Sequence, residues 1–398
     1  MPELIPMRWP AAWTSASRLE LLKGTPINCL VGDAPPPFPL GDLRFIKPDP
    51  EHPPEGVVLR EGVWPRVLAA AKKDTAGAGP TGGPWVDSNA WVVRLARLMD
   101  PGKTVWLTHS PPGGNEVVPL DSFVKPVAEA EAFGAHWVLT LDQSFADALA
   151  QGADKARQEW QRVVSALRFF ETRRERRSWE PVSPLAVIST FEGEGKLISE
   201  EFLNLAPRRH LAYRALRVAD AAQASFEKQK AILYLETEPP RGEVLAKLVG
   251  FARGGGLLIA PLGTVDAPSE GRQSEHSVRR YGKGRVAMPL EKWEDPFVLV
   301  DQVHVLMSHR EDAVRVWNGA DMDLYHLASP DGRREVVHLI PYASGRTGQV
   351  TLGFSRPYRS VRIATLASER AARLAKGGLG VEIDLGEFTD YAEVMLEA

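Results

Sequence analysis

The chain has little of what several protein classes need, beginning with cysteine. Its 398 residues include one cysteine, Cys29, in the apolar run INCLV. A single cysteine excludes an intrachain disulfide, a thiolate metal cluster and a redox pair. The nine histidines are scattered, and the HxH, HExxH and clustered-aspartate patterns of metal sites are missing. We therefore expect Cys29 to lie in a buried strand, and we expect no metal site and no cofactor.

A strong net charge is missing as well. The chain has 48 basic and 51 acidic residues, and its net charge of -3 gives no field that attracts nucleic acid or a membrane surface. No apolar stretch reaches the roughly 18 residues of a membrane span, and the start MPELIPMRWPAAW does not resemble a signal peptide. We expect a soluble chain that binds neither nucleic acid nor membrane. The compartment stays open between the cytoplasm and a periplasmic or secreted location.

Motifs of three common ligand or nucleophile sites are also absent or stand in the wrong context. GxSxG does not occur and Cys29 has no neighbouring glycine, which argues against the nucleophile of an α/β-hydrolase or an amidotransferase. No GxGxxG joins a strand to a helix, which argues against dinucleotide binding. The glycines 254–256 follow a predicted helix and precede a strand, the reverse of a phosphate loop. They predict a helix cap.

The chain is long enough for two or three domains. Up to residue 180, apolar runs alternate with helical patterns. The predicted strands are INCLVGD, GVVLREG, TVWLTHS and HWVLTLD, and the predicted helices are SRLELLK, NAWVVRLARLM and ADKARQEWQRVVSALRFFETRRERR. This alternation indicates an α/β fold with a parallel sheet. Proline and glycine in segments 33–56 and 72–84 exclude regular helix or central strand and predict long, functional loops.

Two further sections follow. Residues 181–296 contain LAVISTF, LAYRALRVAD, AILYLE and GGGLLIAPLG with helices between them, a repeated β-α pattern that ends in the hairpin YGKGRVAMPL. Residues 297–398 contain AVRVW, DLYHLA, EVVHLIPY, QVTLGF, SVRIATL, VEIDL and YAEVML, separated by turns such as SPDG. We predict an α/β domain over 1–180, a flavodoxin-like domain over 181–296 and an antiparallel β-sandwich over 297–398.

Tryptophan is concentrated at the start of the chain. Nine of the eleven tryptophans lie in the first 180 residues, and EGVW (61–64) and PWVDSNAW (84–91) place them beside carboxylates. A tryptophan face stacks on the C–H groups of a sugar, while a carboxylate holds hydroxyls or transfers protons. The pattern indicates a sugar-binding cleft, for which we select Trp64, Trp85, Trp91, Asn89 and His109. Core tryptophans with solvated acids are the alternative.

The order of the three sections resembles family 42 β-galactosidases and related barrel glycosidases. It combines a tryptophan-rich α/β section, a unit that contains FARGGGLLIAPLG and YGKGRVAM, and a small β domain. The resemblance implies a (β/α)8 barrel, a middle domain like a class I amidotransferase without its active site, and a homo-oligomer built by that domain. Because 180 residues are few for eight strands, an incomplete barrel is an alternative to a complete one.

The resemblance also implies two catalytic carboxylates at the ends of barrel strands. Four candidates stand near such positions: Glu61 ends GVVLRE, Asp142 ends HWVLTLD, Glu116 follows TVWLTHS, and Asp87 precedes a helix. Asp87 or the next serine equally suits the amino-terminal cap of that helix. We select Glu61 as one member of the pair and leave the other open among Asp87, Glu116 and Asp142.

Two hypotheses follow for the function. The first is a glycoside hydrolase that acts on a carbohydrate through this carboxylate pair. The second is a non-catalytic carbohydrate-binding or scaffold protein descended from a glycosidase. The two are separated by whether the protein releases sugar or only binds it.

Overall fold

The computed structural model describes residues 3–49, 51–68, 85–111, 119–319, 321–377 and 380–398. In the first section the strands are β1 (Pro6–Arg8), β2 (Cys29–Val31), β3 (Arg44–Ile46), β4 (Val57–Glu61), β5 (Arg66–Leu68), β6 (Trp85–Asp87), β7 (Thr104–Thr108) and β8 (Ala135–Trp137). The helices are α1 (Ala90–Met99), α2 (Val124–Ala132), α3 (Gln143–Gln151) and α4 (Asp154–Glu171). The four predicted strands are confirmed. SRLELLK, however, forms a 3-10 helix, Ala16–Leu22.

Six of these strands are parallel. β1, β2 and β3 form one sheet in that order, and β4, β7 and β8 form another. A parallel bridge between Met7 and Leu139 joins β1 to the segment after β8, so the two sheets run in one direction. Their carboxyl ends therefore lie at a common edge, where α/β proteins place their ligands.

β3 lies inside the proline-rich segment 33–56, which was predicted as a loop. It is three residues long, contains no proline and stands at the edge of its sheet, paired with β2. Residues 44–46 of this proline-rich segment thus form a strand because they pair in parallel with the buried strand β2. The second predicted loop, 72–84, lies outside the described residues.

The parallel strands send alternate side chains to two hydrophobic cores. One cluster takes residues from β2, β4, β7 and the segment after β8: Cys29, Val31, Val57, Trp106 and Val138. Their neighbours Leu30, Val58 and Leu107 belong to a larger cluster shared with the helices. Cys29 is fully buried, and burial raises the pKa of its thiol to about 12, as expected for an inert core cysteine.

The second section continues the alternation of strands and helices. Its strands are β9 (Glu180–Pro181), β10 (Leu185–Ser189), β11 (Tyr213–Arg217), β12 (Ala231–Tyr234), β13 (Leu257–Ile259), β14 (Gly271–Gln273), β15 (His276–Tyr281) and β16 (Gly284–Pro289). Its helices are α5 (Lys196–Leu205), α6 (Val218–Ala221), α7 (Gly242–Gly254) and α8 (Pro296–Met307). Over the described residues, none of the helices is long and apolar enough to cross a membrane.

A seven-stranded sheet carries this section, in the order β11-β10-β12-β13-β16-β15-β14. The first five strands are parallel, and β15 and β16 form the predicted hairpin. α7 ends at Gly254, and Gly255 has a φ of 123°, so the predicted helix cap is confirmed.

Gly284 opens β16 where the hairpin passes the end of α7. A Cβ atom here would lie 2.2 Å from the Gly256 carbonyl oxygen and 2.3 Å from the Ala252 carbonyl oxygen. We predict that Gly284→Ala forces these backbones apart and destabilises the protein by about 1–3 kcal/mol, the usual cost of overpacking. Thermal unfolding followed by circular dichroism measures the loss. Gly271→Ala is the control, because a Cβ there meets nothing within 4 Å; equal losses in both variants would contradict the steric argument.

The third section is made of antiparallel strands. They are β17 (Arg315–Trp317), β18 (Met322–Ala328), β19 (Arg334–Pro341), β20 (Val350–Phe354), β21 (Ser360–Thr365), β22 (Glu369–Ala371), β23 (Ala375–Gly377), β24 (Gly380–Gly386) and β25 (Ala392–Glu397). One sheet has the order β17-β20-β24-β23 and the other β22-β21-β25-β19-β18-β9. A hydrophobic cluster takes residues from both sheets, including Leu352 of β20 and Leu339 of β19.

Two elements cross the predicted section boundaries. Leu299, Val300 and Val303 of α8 pack in the hydrophobic core of the second section. β9, at the start of the second section, pairs with β18 of the third. The second and third sections are therefore joined by shared packing and strand pairing as well as by the chain.

Candidate functional site

Two of the residues selected from the sequence emerge at the carboxyl edge of adjacent parallel strands. Glu61 ends β4 and pairs with Thr108, which ends β7. The following amide, of Gly62, donates to the Thr108 carbonyl oxygen over 3.0 Å. His109 comes directly after Thr108, so its imidazole and the Glu61 carboxylate leave neighbouring strands.

Three charged residues surround His109. Burial, the largest effect, lowers the pKa of His109 below its ordinary 6.5. The carboxylates of Glu61 and Asp87 and a bond with the Gly62 backbone oppose this, whereas the Arg66 guanidinium lowers the pKa further. His109 is therefore neutral at pH 7, among two carboxylates and a cation. A neutral imidazole exchanges a hydrogen bond with a hydroxyl without adding charge.

Asp87 reaches this group from a pair of antiparallel strands. β5 and β6 are antiparallel, with Arg66 opposite Asp87, and Arg66 Nε lies 3.7 Å from Asp87 Oδ2. The cap position of α1 is Asn89, whose side chain makes no cap bond, and Ser88 Oγ accepts the Ala90 amide over 3.3 Å. The capping alternative therefore applies to Ser88, and Asp87 has no part in it.

Asn89 is buried and holds the turn after Glu61. Its Oδ1 accepts the Val63 amide over 2.7 Å, and its Nδ2 donates to the Val63 carbonyl oxygen over 2.9 Å. A Cβ atom on Gly62 would lie 2.8 Å from Asn89 Oδ1, so this turn favours glycine. Because Asn89 is 0 % exposed, it positions the turn that carries Glu61 rather than contacting a ligand.

The three selected tryptophans lie in different surroundings. Trp64 is 5 % exposed and packs edge-on against Phe123 and Trp137, with ring centroids 5.2 and 6.0 Å away. Trp91 packs against the hydrophobic core of the second section. Trp85 has its backbone in β6, and its side chain lies outside the described part of the chain. Of the three tryptophans, Trp64 is thus the one whose described side chain lies beside the candidate site.

The two remaining candidate carboxylates do not join this group. Asp142 Oδ1 accepts the Phe145 amide over 2.6 Å and the Ser144 hydroxyl over 2.9 Å, and so caps α3. Glu116 lies in segment 112–118, outside the described residues. The fold therefore groups Glu61, Asp87 and His109, and gives Asp142 a local structural role.

A cavity of about 280 Å³ opens beside this group. Arg66 links the cavity to this group, because its side chain lines the cavity and pairs with Asp87. Trp64 forms part of one wall, and polar walls come from Lys125 of α2 and from Arg162, which donates to Asp390 over 2.7 Å. Such a mixture of an aromatic edge and charged groups suits a polar ligand. The sequence did not single out Arg66, although it lies in the same EGVWPR segment as Glu61 and Trp64.

A buried polar network, which the sequence analysis did not predict, holds the turn that carries the site. Glu129 of α2 accepts the Asn89 amide, Asn89 Nδ2 and the Tyr342 hydroxyl, each over 2.7 Å. The Tyr342 hydroxyl lies 3.0 Å from Asp323 Oδ2, which also accepts Ser88 Oγ over 2.9 Å. Glu129 and Tyr342 are 213 positions apart, so no local sequence signal points to this network. It ties the third section to the turn after β4.

The fold also assembles a group with metal-ligand chemistry. Single ligand atoms of His304, His309 and Asp312 lie within 4.8 Å of one another. Imidazole nitrogen and carboxylate oxygen are zinc ligands. Their spacing, H-x4-H-x2-D, differs from the HxH and HExxH patterns of metal sites. The group belongs to the end of α8 and the turn after it, in a different section from Glu61.

A second cavity, of about 320 Å³, lies at the carboxyl edge of the second section. It is bordered by the segments after β12, β13 and β16. Glu236 in its wall accepts bonds from the Ser189 hydroxyl and from the amide and hydroxyl of Thr190. None of the described lining residues is cysteine or serine, the usual nucleophiles of acyl transfer. The described lining of this cavity therefore offers neither of these two nucleophiles for acyl transfer.

No family model matches the sequence. No curated protein matches it either.

Solved structures do match its fold. It is similar to α-L-fucosidase isoenzyme 2 from Paenibacillus thiaminolyticus (TM-score 0.54, 12 % identity, 80 % of this chain and 64 % of that one). It is similar to β-galactosidases from Bacillus circulans sp. alkalophilus (0.52, 8 %, 78 % and 58 %) and from Rahnella sp. R3 (0.50, 11 %, 78 % and 57 %). The chain thus spans less than two thirds of the length of these structures. The resemblance to β-galactosidases and other glycosidases is confirmed at the level of the fold.

Proposed function

We propose that the protein is a glycoside hydrolase with Glu61 and Asp87 as its catalytic carboxylates. The observation that carries the proposal is that both carboxylates lie close enough to the His109 imidazole to raise its pKa. His109 stands at the carboxyl edge of parallel strands. Glycoside hydrolysis needs two carboxylates on either side of the bond. The likeness to glycosidase folds supports the same class of reaction.

The surroundings of the two carboxylates suggest different roles. Asp87 faces the Arg66 guanidinium and is the better choice for the group that acts in its ionised form, as nucleophile or base. Glu61, exposed at the end of β4, is then the acid that protonates the leaving oxygen. His109, neutral and next to both, binds a sugar hydroxyl. The Asn89 side chain keeps the turn after Glu61 in place.

A barrel of reduced size is the setting we propose for this site. Residues from β2, β4 and β7 share one core, as the inside of a barrel requires, and their neighbours face the helices. Six strands are parallel, and over residues 3–49 and 51–68 β3 and β4 are not paired. We therefore favour the incomplete barrel over the complete one. Trp64 and Arg66 then line part of its mouth.

The other two sections fit the proposed layout with one adjustment. The order β11-β10-β12-β13-β16 is that of a flavodoxin-like sheet. Two antiparallel sheets around one core suit a β-sandwich. Because α8 packs in the second core, we move the boundary between these domains from residue 296 to the segment after Met307. A homo-oligomer formed by the middle domain remains a prediction.

A panel of nitrophenyl glycosides and oligosaccharides tests the proposal. We expect the purified chain to release nitrophenol or sugar from at least one member, and Asp87→Asn to abolish that release. Asp142→Asn is the control, because the Asp142 carboxylate caps α3 and lies outside the proposed catalytic pair. Sugar binding in calorimetry without any release across the panel would instead establish the non-catalytic alternative.

A further inference from the structure

We propose that His304, His309 and Asp312 form a Zn²⁺ site at the junction of the second and third sections. His304 lies in the last turn of α8, His309 in the 3-10 turn that follows, and Asp312 at the end of that turn. This site makes no use of Glu61 or Asp87, so it stands or falls separately from the glycosidase proposal.

The distances between the three side chains suit one metal ion. His304 Nε2 lies 2.7 Å from Asp312 Oδ1, and His309 Nδ1 lies 3.2 Å from Asp312 Oδ2. The two imidazole centroids are 4.0 Å apart. Zinc bonds of about 2.0–2.2 Å in a tetrahedron put neighbouring ligand atoms roughly 3.3 Å apart. Small side-chain rotations therefore bring all three atoms to one ion.

The turn at Ser308 brings these residues together. Ser308 has a φ of 72°, an uncommon value for serine, and this turn brings His309 back over the end of α8. The side chains of His304 and Asp312 are 9 % and 7 % exposed, whereas that of His309 is 66 % exposed. The site is therefore walled on one side and open to solvent on the other, with a route for the ion to enter.

Arg315 is the charge that opposes a cation here. Its Nε lies 3.9 Å from Asp312 Oδ2, but its Nε and Nη2 both donate to the His309 carbonyl oxygen. The Arg315 guanidinium is thus held by the His309 backbone, while the Asp312 carboxylate contacts the imidazoles of His304 and His309. We expect moderate affinity, below that of closed sites with four protein ligands.

The donor set selects the ion and suggests its role. Two imidazole nitrogens and one carboxylate oxygen favour Zn²⁺ over Mg²⁺ and Ca²⁺, which prefer oxygen ligands. Three protein ligands leave a fourth position for water. Since α8 packs in the second core and β17 begins at Arg315, the ion clamps the helix to the strand entering the third section.

Calorimetry with the full chain, treated with EDTA and dialysed, tests the site. We expect one Zn²⁺ per chain and a rise in Tm on adding ZnCl2, with neither effect from MgCl2 or CaCl2. His309→Ala should weaken Zn²⁺ binding by more than the roughly 10- to 100-fold that loss of an outer partner costs. His309 is exposed, so its replacement leaves the fold intact, as circular dichroism will verify.

His52→Ala is the matched control. His52 is an exposed histidine whose Nδ1 lies 3.0 Å from Asp49, three positions away, but among the described residues it belongs to no group of three possible metal ligands. Zn²⁺ binding by this variant should equal that of the wild type. No saturable binding to the wild type, or equal binding by wild type and His309→Ala, overturns the proposal. Glu61→Gln must bind Zn²⁺ like the wild type, whether or not it retains any hydrolase activity.

Discussion

We expect hydrolysis of a nitrophenyl glycoside to fall by about 10²- to 10⁴-fold when Glu61 is replaced by Gln, the range that a positioned acid or base contributes. Glutamine keeps the shape of the side chain and the pairing of β4 with Thr108, but it does not transfer a proton. The quantity to measure is kcat/KM on a substrate that the wild type cleaves. Because we assign Glu61 as the acid, the loss should be smaller for a dinitrophenyl glycoside, whose leaving group needs less protonation.

Asp142→Asn is the control for this variant. Asp142 caps α3 by accepting the Phe145 amide, and Asn is as good a cap as Asp. We expect this variant to keep both its stability and its activity. Undiminished kcat/KM in Glu61→Gln would exclude Glu61 from the catalytic pair. A matching loss in Asp142→Asn would trace the effect to general disturbance of the strand ends.

The longer buried strands are predictable from sequence because each is an apolar run bounded by polar or glycine residues. GVVLREG becomes β4 and TVWLTHS becomes β7, and their shared direction places Glu61 beside His109. β1 and β3 are not predictable in this way. Each has three residues and becomes a strand through pairing with β2, which is a tertiary effect.

The candidate site illustrates a second limit. The periodicity of NAWVVRLARLM predicts α1 and an apolar face that includes Trp91, but not which core receives that face. In the fold it packs against the second section, away from the cavity beside Trp64. Asn89, predicted as a ligand contact, is buried and bonds to Glu129 and to the turn at Val63. Side-chain type suggests chemistry, whereas burial decides whether a ligand reaches it.

Glu129 shows how strongly tertiary burial overrides the expectation that charged residues are solvated. It lies in the sequence VKPVAEAEA of α2, and although charged residues are usually exposed, it is fully buried. Burial is the largest effect and raises the pKa of Glu129 to about 7, with a further rise from the Asp323 carboxylate. The bonds from Tyr342 and Asn89 oppose this but do not cancel it. The folded chain therefore holds a proton on Glu129 that the unfolded chain releases near pH 4.5.

This proton makes the protein less stable as the pH rises. Between about pH 4.5 and 7 the native state binds more protons than the unfolded state, so the free energy of unfolding falls with pH. At 1.36 kcal/mol per pKa unit, the fall is about 3 kcal/mol. We predict that Glu129→Gln, which has no proton to lose, removes this part of the pH dependence, so that its free energy of unfolding changes less between pH 5 and pH 8 than that of the wild type. Urea unfolding followed by tryptophan fluorescence at pH 5 and pH 8 measures the difference.

Glu131→Gln provides the opposite case within the same helix. Glu131 is also buried, but His136 Nδ1 at 2.7 Å and Arg177 Nη2 at 2.6 Å hold its pKa below the ordinary value despite the cost of burial. Its carboxylate therefore stabilises the fold above pH 4.5, and that contribution is lost only as the pH falls through the lowered pKa. At pH 8 Glu131→Gln should be less stable than the wild type, whereas Glu129→Gln should lose the fall in stability between pH 5 and pH 8. Parallel pH curves for the wild type and Glu129→Gln would mean that Tyr342 and Asn89 keep Glu129 ionised throughout, since a carboxylate charged in both states contributes no pH dependence.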